Sequence, residues 1–154
     1  MELHLTWKTK AFRRTFEILK NEIKVGQLRK ESFSRKTTGW FNTRKITFLT
    51  KGFFGNETTI IDSDTSGITG TISYYLWRCK STITYNDKEY YWLYDNLFGT
   101  RWSLGNENGV LIRYHSRCFK GTIDSYTDDE VLILTGFFIR NYLKQRAAAT
   151  AAAS

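Results

Sequence analysis

The stretch "VLILTGFFI", residues 131–139, constrains this fold more than any other part of the 154-residue chain. "TDDE" precedes it and "RNYLKQR" follows it. Thr127 and Glu130 have the spacing of a capping box, with Thr127 as the N-cap. Asp128 and Asp129 suit the positive end of a helix dipole, and Arg140, Lys144 and Arg146 suit the negative end. The pattern predicts one helix from about Asp128 to about Arg146. Apart from Thr135 it has no polar side until Arg140. A helix that is apolar all round must be enclosed by lipid or by protein. A lipid-spanning helix needs roughly 20 apolar residues, and this run stops well short. Protein must therefore surround it, and a barrel of strands wrapped around the helix would do so.

The remainder of the chain supplies the strands. "LHLTW" places Leu3, Leu5 and Trp7 on one face, and "TFEILK" pairs Phe16 with Ile18. Asn21-Glu22 reads as a tight turn into "IKVGQL". "KITFL" aligns Ile46 with Phe48. In "ITGTISYYLW", Ile68, Ile72, Tyr74 and Leu76 alternate with polar neighbours, as in a half-buried strand. "STITY", "EYYWLY", "RWSL", "GVLIRY" and "KGTIDSY" follow. The separators "NDK", "NLFGT", "GNEN" and "HSRCF" are rich in residues that tolerate turn dihedrals. The expected fold is all-β with one helix: a closed antiparallel barrel of about ten to twelve strands around a buried C-terminal helix. Residues 1–146 form one domain in this reading. The Ala-rich residues 147–154 could extend the helix or be a foreign tail, and carry no functional weight.

Charge is unevenly distributed. Residues 1–51 hold 13 Lys/Arg against 4 Asp/Glu, whereas the rest hold 10 against 11. A basic N-terminal third implies an anionic partner or simply a solvated surface. "MELHLTWKTK" lacks the apolar run of a secretory signal. With no CxxC spacing, Cys79 and Cys118 are expected to be buried, reduced thiols in a cytoplasmic protein.

The order of features resembles the tubby-like superfamily, which includes tubby C-terminal domains, LURP-one-related proteins and phospholipid scramblases. The segments that carry the likeness are "FEILKNEIKVGQL", "YYWLY" with "RWSL", "GTIDSY" and "LILTGFFIRNYLKQR". They cover most of the chain, and small bacterial members without an assigned activity are the nearest in pattern. The resemblance implies a barrel with a central helix and, from tubby domains, binding of phosphatidylinositol bisphosphate through basic strand residues.

No reaction is announced. "DSDTSG" at 62–67 begins like a calcium loop, but its twelfth position is Ser73 where a bidentate Glu is required, so it reads as a turn. A zinc site would need His4, Cys79, His115 and Cys118 to converge, and nothing marks a cysteine as an activated nucleophile. Dinucleotide, P-loop, zincin and hydrolase motifs are lacking. No catalytic residue, cofactor or metal is expected. Trp92, Trp102 and "YYWLY" are read as core, since a central helix leaves little room for a ligand cavity.

The functional candidates are Arg29, Lys30, Arg35, Lys36, Trp40, Arg44 and Lys45, which lie in or beside "RKTTGWFNTRK". Cations flanking an exposed aromatic suit an anionic membrane interface, and they equally suit single-stranded nucleic acid. The expectation is a non-enzymatic module, cytoplasmic or peripheral to a membrane without a transmembrane segment, that tethers to anionic phospholipid headgroups. A protein-interaction or structural module and a nucleic-acid binder are the alternatives.

Overall fold

Alternating inward apolar and outward polar residues fold into twelve strands in the computed structural model, which describes residues 2–10, 14–31, 35–52, 55–75 and 80–153. The elements are β1 (Leu3–Thr9), β2 (Thr15–Lys20), β3 (Ile23–Lys30), β4 (Lys36–Phe41), β5 (Arg44–Lys51) and β6 (Glu57–Asp62). They continue with β7 (Ile68–Tyr75), β8 (Lys80–Tyr85), β9 (Lys88–Tyr94), β10 (Arg101–Asn106), β11 (Gly109–Arg117) and β12 (Lys120–Ser125), then α1 (Glu130–Ala153). Each strand pairs antiparallel with its sequence neighbours. β1 also pairs with β12, with Leu5 opposite Ile123, which closes the barrel. Closure leaves no strand edge exposed.

The expected architecture is therefore present: a closed antiparallel barrel around the C-terminal helix. Barrel diameter grows with strand number, and eight strands enclose only side chains. Twelve leave a wider lumen, and a helix about 10–12 Å across can plug it. Residues 131–141 are buried on every side of α1. Phe48 stacks on Phe138 with ring centroids 4.3 Å apart, and Phe137 meets Trp7 at 5.1 Å and Phe16 at 5.3 Å. The helix backbone is also held directly. Trp92 and Trp102 both donate their indole N–H to the Gly136 carbonyl, at 2.9 and 3.1 Å, and the Tyr114 hydroxyl donates to the Ile133 carbonyl at 2.8 Å. The two tryptophans are thus core, as expected. Thr135 is satisfied within the helix, donating to the Val131 carbonyl.

Several local expectations change. The helix N-cap is Asp129 and not Thr127. Asp129 Oδ1 accepts from the amides of Val131 (3.0 Å) and Leu132 (3.2 Å), while Thr127 Oγ1 accepts from the Asp129 amide. An Asx acceptor one residue before the helix reaches those amides more directly than a threonine three residues before it. The helix continues through the alanines to Ala153, as their propensity allows. Ile68 is exposed although Gly70, Ile72 and Tyr74 face inward, because it lies beyond a register shift between Ile60 and Ile61 at the barrel rim. Cys118 is an exposed thiol, not a buried one, since it forms the β11–β12 turn with φ of 56°. Cys79 and Leu76 lie outside the described residues. His115, Ser116 and Arg117 belong to β11 and not to a separator.

Candidate binding surface at the end where α1 emerges

An up-and-down barrel sends successive connections to opposite ends. The β2–β3, β4–β5, β6–β7, β8–β9, β10–β11 and β12–α1 connections gather at the end where α1 begins, the N-end. The other six gather where α1 leaves, the C-end. The N-end connections contain Glu22, Asp64, Asp87, Glu107, Asp128 and Asp129, and no Lys or Arg. The strand termini at that end add Lys20, Arg44 and Lys88 with Asp62. At the C-end, the strands terminate in Lys30, Lys36, Lys51, Lys80, Arg101, Arg117 and Lys120 with Glu57, and the described residues of the connections add Lys10, Arg14 and Arg35 with Glu31 and Asp95. The barrel is thus polarised along its axis, acidic at one end and ringed with cations at the other.

The loop between β9 and β10 stands on the same basic ring. Leu97 is 100% exposed and Phe98 90% exposed. The loop is braced beneath them. Asn96 Oδ1 accepts from the amides of Thr100 (3.1 Å) and Arg101 (3.2 Å), and Asn96 Nδ2 donates to Thr100 Oγ1 at 2.6 Å. Asp95 accepts from the Ser103 hydroxyl at 3.1 Å, and Gly99 supplies the positive φ of 66° that the turn needs. Two large apolar side chains are thereby displayed with their backbone already fixed. Phe119, 44% exposed, adds a third apolar group in the β11–β12 turn at this end. The N-end exposes Ile23, Ile68 and Tyr126, but among acidic side chains.

The C-end also holds a cavity of about 300 Å³ beside α1, where the helix does not fill the lumen. Phe16, Leu28 and Phe138 form its apolar wall, and Lys30, Arg35 and Arg146 bring cations to it. Across α1, Arg140 lines a second, smaller cavity. Its guanidinium lies 4.8 Å from the Trp102 ring centroid and donates to Ser116 Oγ at 3.2 Å. Burial of this charge is thus offset by a cation–π contact and a hydrogen bond.

The seven residues singled out in sequence do not form one patch. "RKTTGWFNTRK" is a β-hairpin, not a loop: β4 and β5 turn tightly at Asn42-Thr43. A six-residue strand is roughly 17 Å long, so its two ends lie far apart. Lys30, Arg35 and Lys36 lie at the C-end with Arg29 exposed beside them on the outer wall. Arg44 is at the N-end, 3.5 Å from Asp62, with Lys45 next to it. Trp40 lies on the outer wall beneath Lys24, whose ammonium is 5.8 Å from the ring centroid. Lys30 faces inward at the C-end, on the same side of β3 as Gly26 and Leu28, as Arg44 does at the N-end, on the same side of β5 as Ile46 and Phe48. Leu97, Phe98 and Asn141 were not singled out in the sequence, and Arg146 was read only as a helix-end cation. For the first two a signal existed: adjacent large apolar residues inside the turn-forming "NLFGT" have no core to enter.

"DSDTSG" is the β6–β7 turn, in which Asp62 Oδ1 accepts from the amides of Asp64 and Thr65. Among the described residues no group of three or more His, Cys, Asp or Glu is placed to hold a metal ion. Nor is any helix among them long and apolar enough to cross a membrane. No protein-family model and no curated protein matches this chain.

Proposed function

We propose that this protein is a non-enzymatic tether that docks the C-end of its barrel on an anionic phospholipid surface. The observation that carries this reading is the braced exposure of Leu97 and Phe98 on the cationic ring. Cations draw the barrel to anionic headgroups with about 1 kcal/mol for each Lys or Arg near the surface. Apolar tips then enter the boundary between headgroups and acyl chains, which salt does not screen. The acidic N-end is repelled by the same surface, so the docked orientation is unique. The likeness to tubby-like proteins in strand pattern and central helix points the same way. Apposition to the cytoplasmic leaflet, where anionic lipids concentrate, follows from this reading.

Flotation of the purified protein with neutral and anionic vesicles at low and high salt tests it. Binding to anionic vesicles that weakens with salt is expected, because the Debye length falls from about 10 Å at 0.1 M to 3 Å at 1 M. Absence of flotation with anionic vesicles at low salt would overturn the reading and favour a protein partner. A steep salt-dependent shift of single-stranded oligonucleotide without flotation would favour nucleic acid.

A further inference from the structure

We infer that the cavity beside α1 at the C-end is a binding site for a small anionic amphiphile: a carboxylate or phosphate monoester carrying a short apolar body. This goes beyond surface docking, since the ligand would enter the barrel mouth and contact the central helix. It does not require the docking reading to hold.

The chemistry of the lining defines the ligand. Its wall is Phe16, Leu28 and Phe138, all buried, which favours hydrocarbon over water. Its polar groups point to an anion. Lys30 turns inward from the end of β3, and its ammonium has no carboxylate partner among the described residues. Arg35 and Arg146 are pinned at the rim by the carbonyls of Gly52 (2.5 Å) and Gly55 (3.0 Å), which fixes their charge over the opening. Among the described residues that line it, none is acidic.

A second observation is independent of charge. Asn141, on α1 between the two cavities, is only 6% exposed, and its Nδ2 is buried without a hydrogen-bond partner among the described residues. Buried amide donors are almost always paired. An unpaired one on a residue that lines a cavity gains an acceptor from a ligand once its amide turns toward the opening. An anionic oxygen placed there would also lie within the field of Lys30.

Size narrows the class. At about 30 Å³ for each water-sized group, 300 Å³ holds roughly ten non-hydrogen atoms. Octanoate is of that size; a bare phosphate ion would leave the apolar wall wet.

Titration calorimetry of the full chain with octanoate, octanamide and inorganic phosphate tests the inference. Saturable octanoate binding is expected, with octanamide and inorganic phosphate at least tenfold weaker. Lys30→Met should weaken octanoate about tenfold, equivalent to about 1.4 kcal/mol. Asn141→Leu should do likewise if its melting temperature stays near wild type; Lys30→Met, on a solvent-facing rim, serves where it does not. Equal affinity for octanoate and octanamide, or no effect of Lys30→Met, would overturn the anion site. Inorganic phosphate as tight as octanoate would overturn the amphiphile, and absence of octanoate binding would overturn both. A variant with Ser at positions 97 and 98 should bind octanoate normally while losing vesicles, so the two readings fail separately. Displacement of octanoate by phosphatidylglycerol vesicles would assign the ligand to bilayer lipid, and retention would assign a free solute, with the head-and-tail chemistry upheld in both cases.

Discussion

Helix propensity and barrel packing make opposite predictions for Gly136→Ala. In a helix interior Ala is favoured over Gly by about 1 kcal/mol, so propensity alone says the variant is more stable. The barrel says otherwise. A Cβ on Gly136 would lie 2.2 Å from Tyr114 Oη, 2.7 Å from Cζ and 2.8 Å from Cε1. Comfortable carbon contacts are about 3.5–4.0 Å, so the ring must retreat by roughly 1 Å. It has nowhere to go: it stacks on Trp102 with centroids 5.4 Å apart and planes within 5°. Its hydroxyl would also lose the Ile133 carbonyl, 2.8 Å away, while staying buried. Overpacking costs about 1–3 kcal/mol, and a buried hydroxyl left unpaired costs about 1–3 kcal/mol. Set against the propensity gain, the net destabilisation is about 3 kcal/mol. Urea unfolding would read this as a lower midpoint with unchanged slope. Tyr114→Phe removes the nearest atom in the clash. In that background Gly136→Ala should cost at least about 1 kcal/mol less, a coupling that a double-mutant cycle measures. If Gly136→Ala equals or exceeds wild-type stability, the clasp of Tyr114 on the helix backbone is not what the fold rests on.

Ile133→Asp places an unpaired carboxylate in the most enclosed turn of α1 and should abolish cooperative unfolding; a folded variant with an unchanged melting temperature would refute the plug role of the helix. Replacing Leu97 and Phe98 with Ser should cut partition onto anionic vesicles by more than tenfold, since each apolar side chain is worth about 1.5–3 kcal/mol on full burial. The melting temperature should hold, because both side chains are exposed. Burial pushes the Tyr74 and Tyr114 hydroxyls well above their ordinary value of 10.0, and burial with the nearby Asp129 carboxylate pushes Tyr85 up to about 12. A raised value means that the folded chain holds protons the unfolded chain releases. Stability is therefore intact below pH 10 and falls as pH rises toward 12, by up to about 1.4 kcal/mol per pH unit for each tyrosine. Urea midpoints that are flat from pH 8 to 11 would contradict this.

Architecture was legible because two signals of different period agreed. An apolar run too short to span lipid demanded a protein enclosure, and the period-two segments were numerous enough to build one. Residues whose neighbours come from the same strand were read correctly: Leu5 and Trp7, Ile46 and Phe48, Ile72 and Tyr74 all face the lumen. Failures arose where a partner from elsewhere decides. Ile68 has the right parity but sits past a bulge, and no periodicity encodes a bulge. Thr127 has capping-box spacing, yet Asp129 offers a closer acceptor. Cys118 is exposed because a two-residue turn puts it at the rim, whereas thiols as a class are usually buried.

The functional surface was harder to read for a topological reason. In a meander, the end at which a connection emerges depends on the parity of the strands before it. Basic residues near one another in sequence, such as Lys36 and Lys45, separate to opposite ends because one strand, β4, runs between them. Residues 60 or more apart, such as Lys36 and Phe98, come to the same end because an even number of strands, β4 to β9, lies between them. Linear charge density therefore points to the first third of the chain, while the three-dimensional basic ring draws on nearly the whole of it. A count of ten to twelve strands could not assign ends, since one missed strand exchanges them for everything downstream. With twelve strands and closure of β1 on β12 established, parity alone places Leu97 and Phe98 among cations and the acidic turns opposite. The same parity brings Asn141, two turns of α1 after Ile133, to the mouth where Lys30 ends its strand. Neither residue carries a motif. They can act together only because the helix runs inside the barrel and emerges at its basic end.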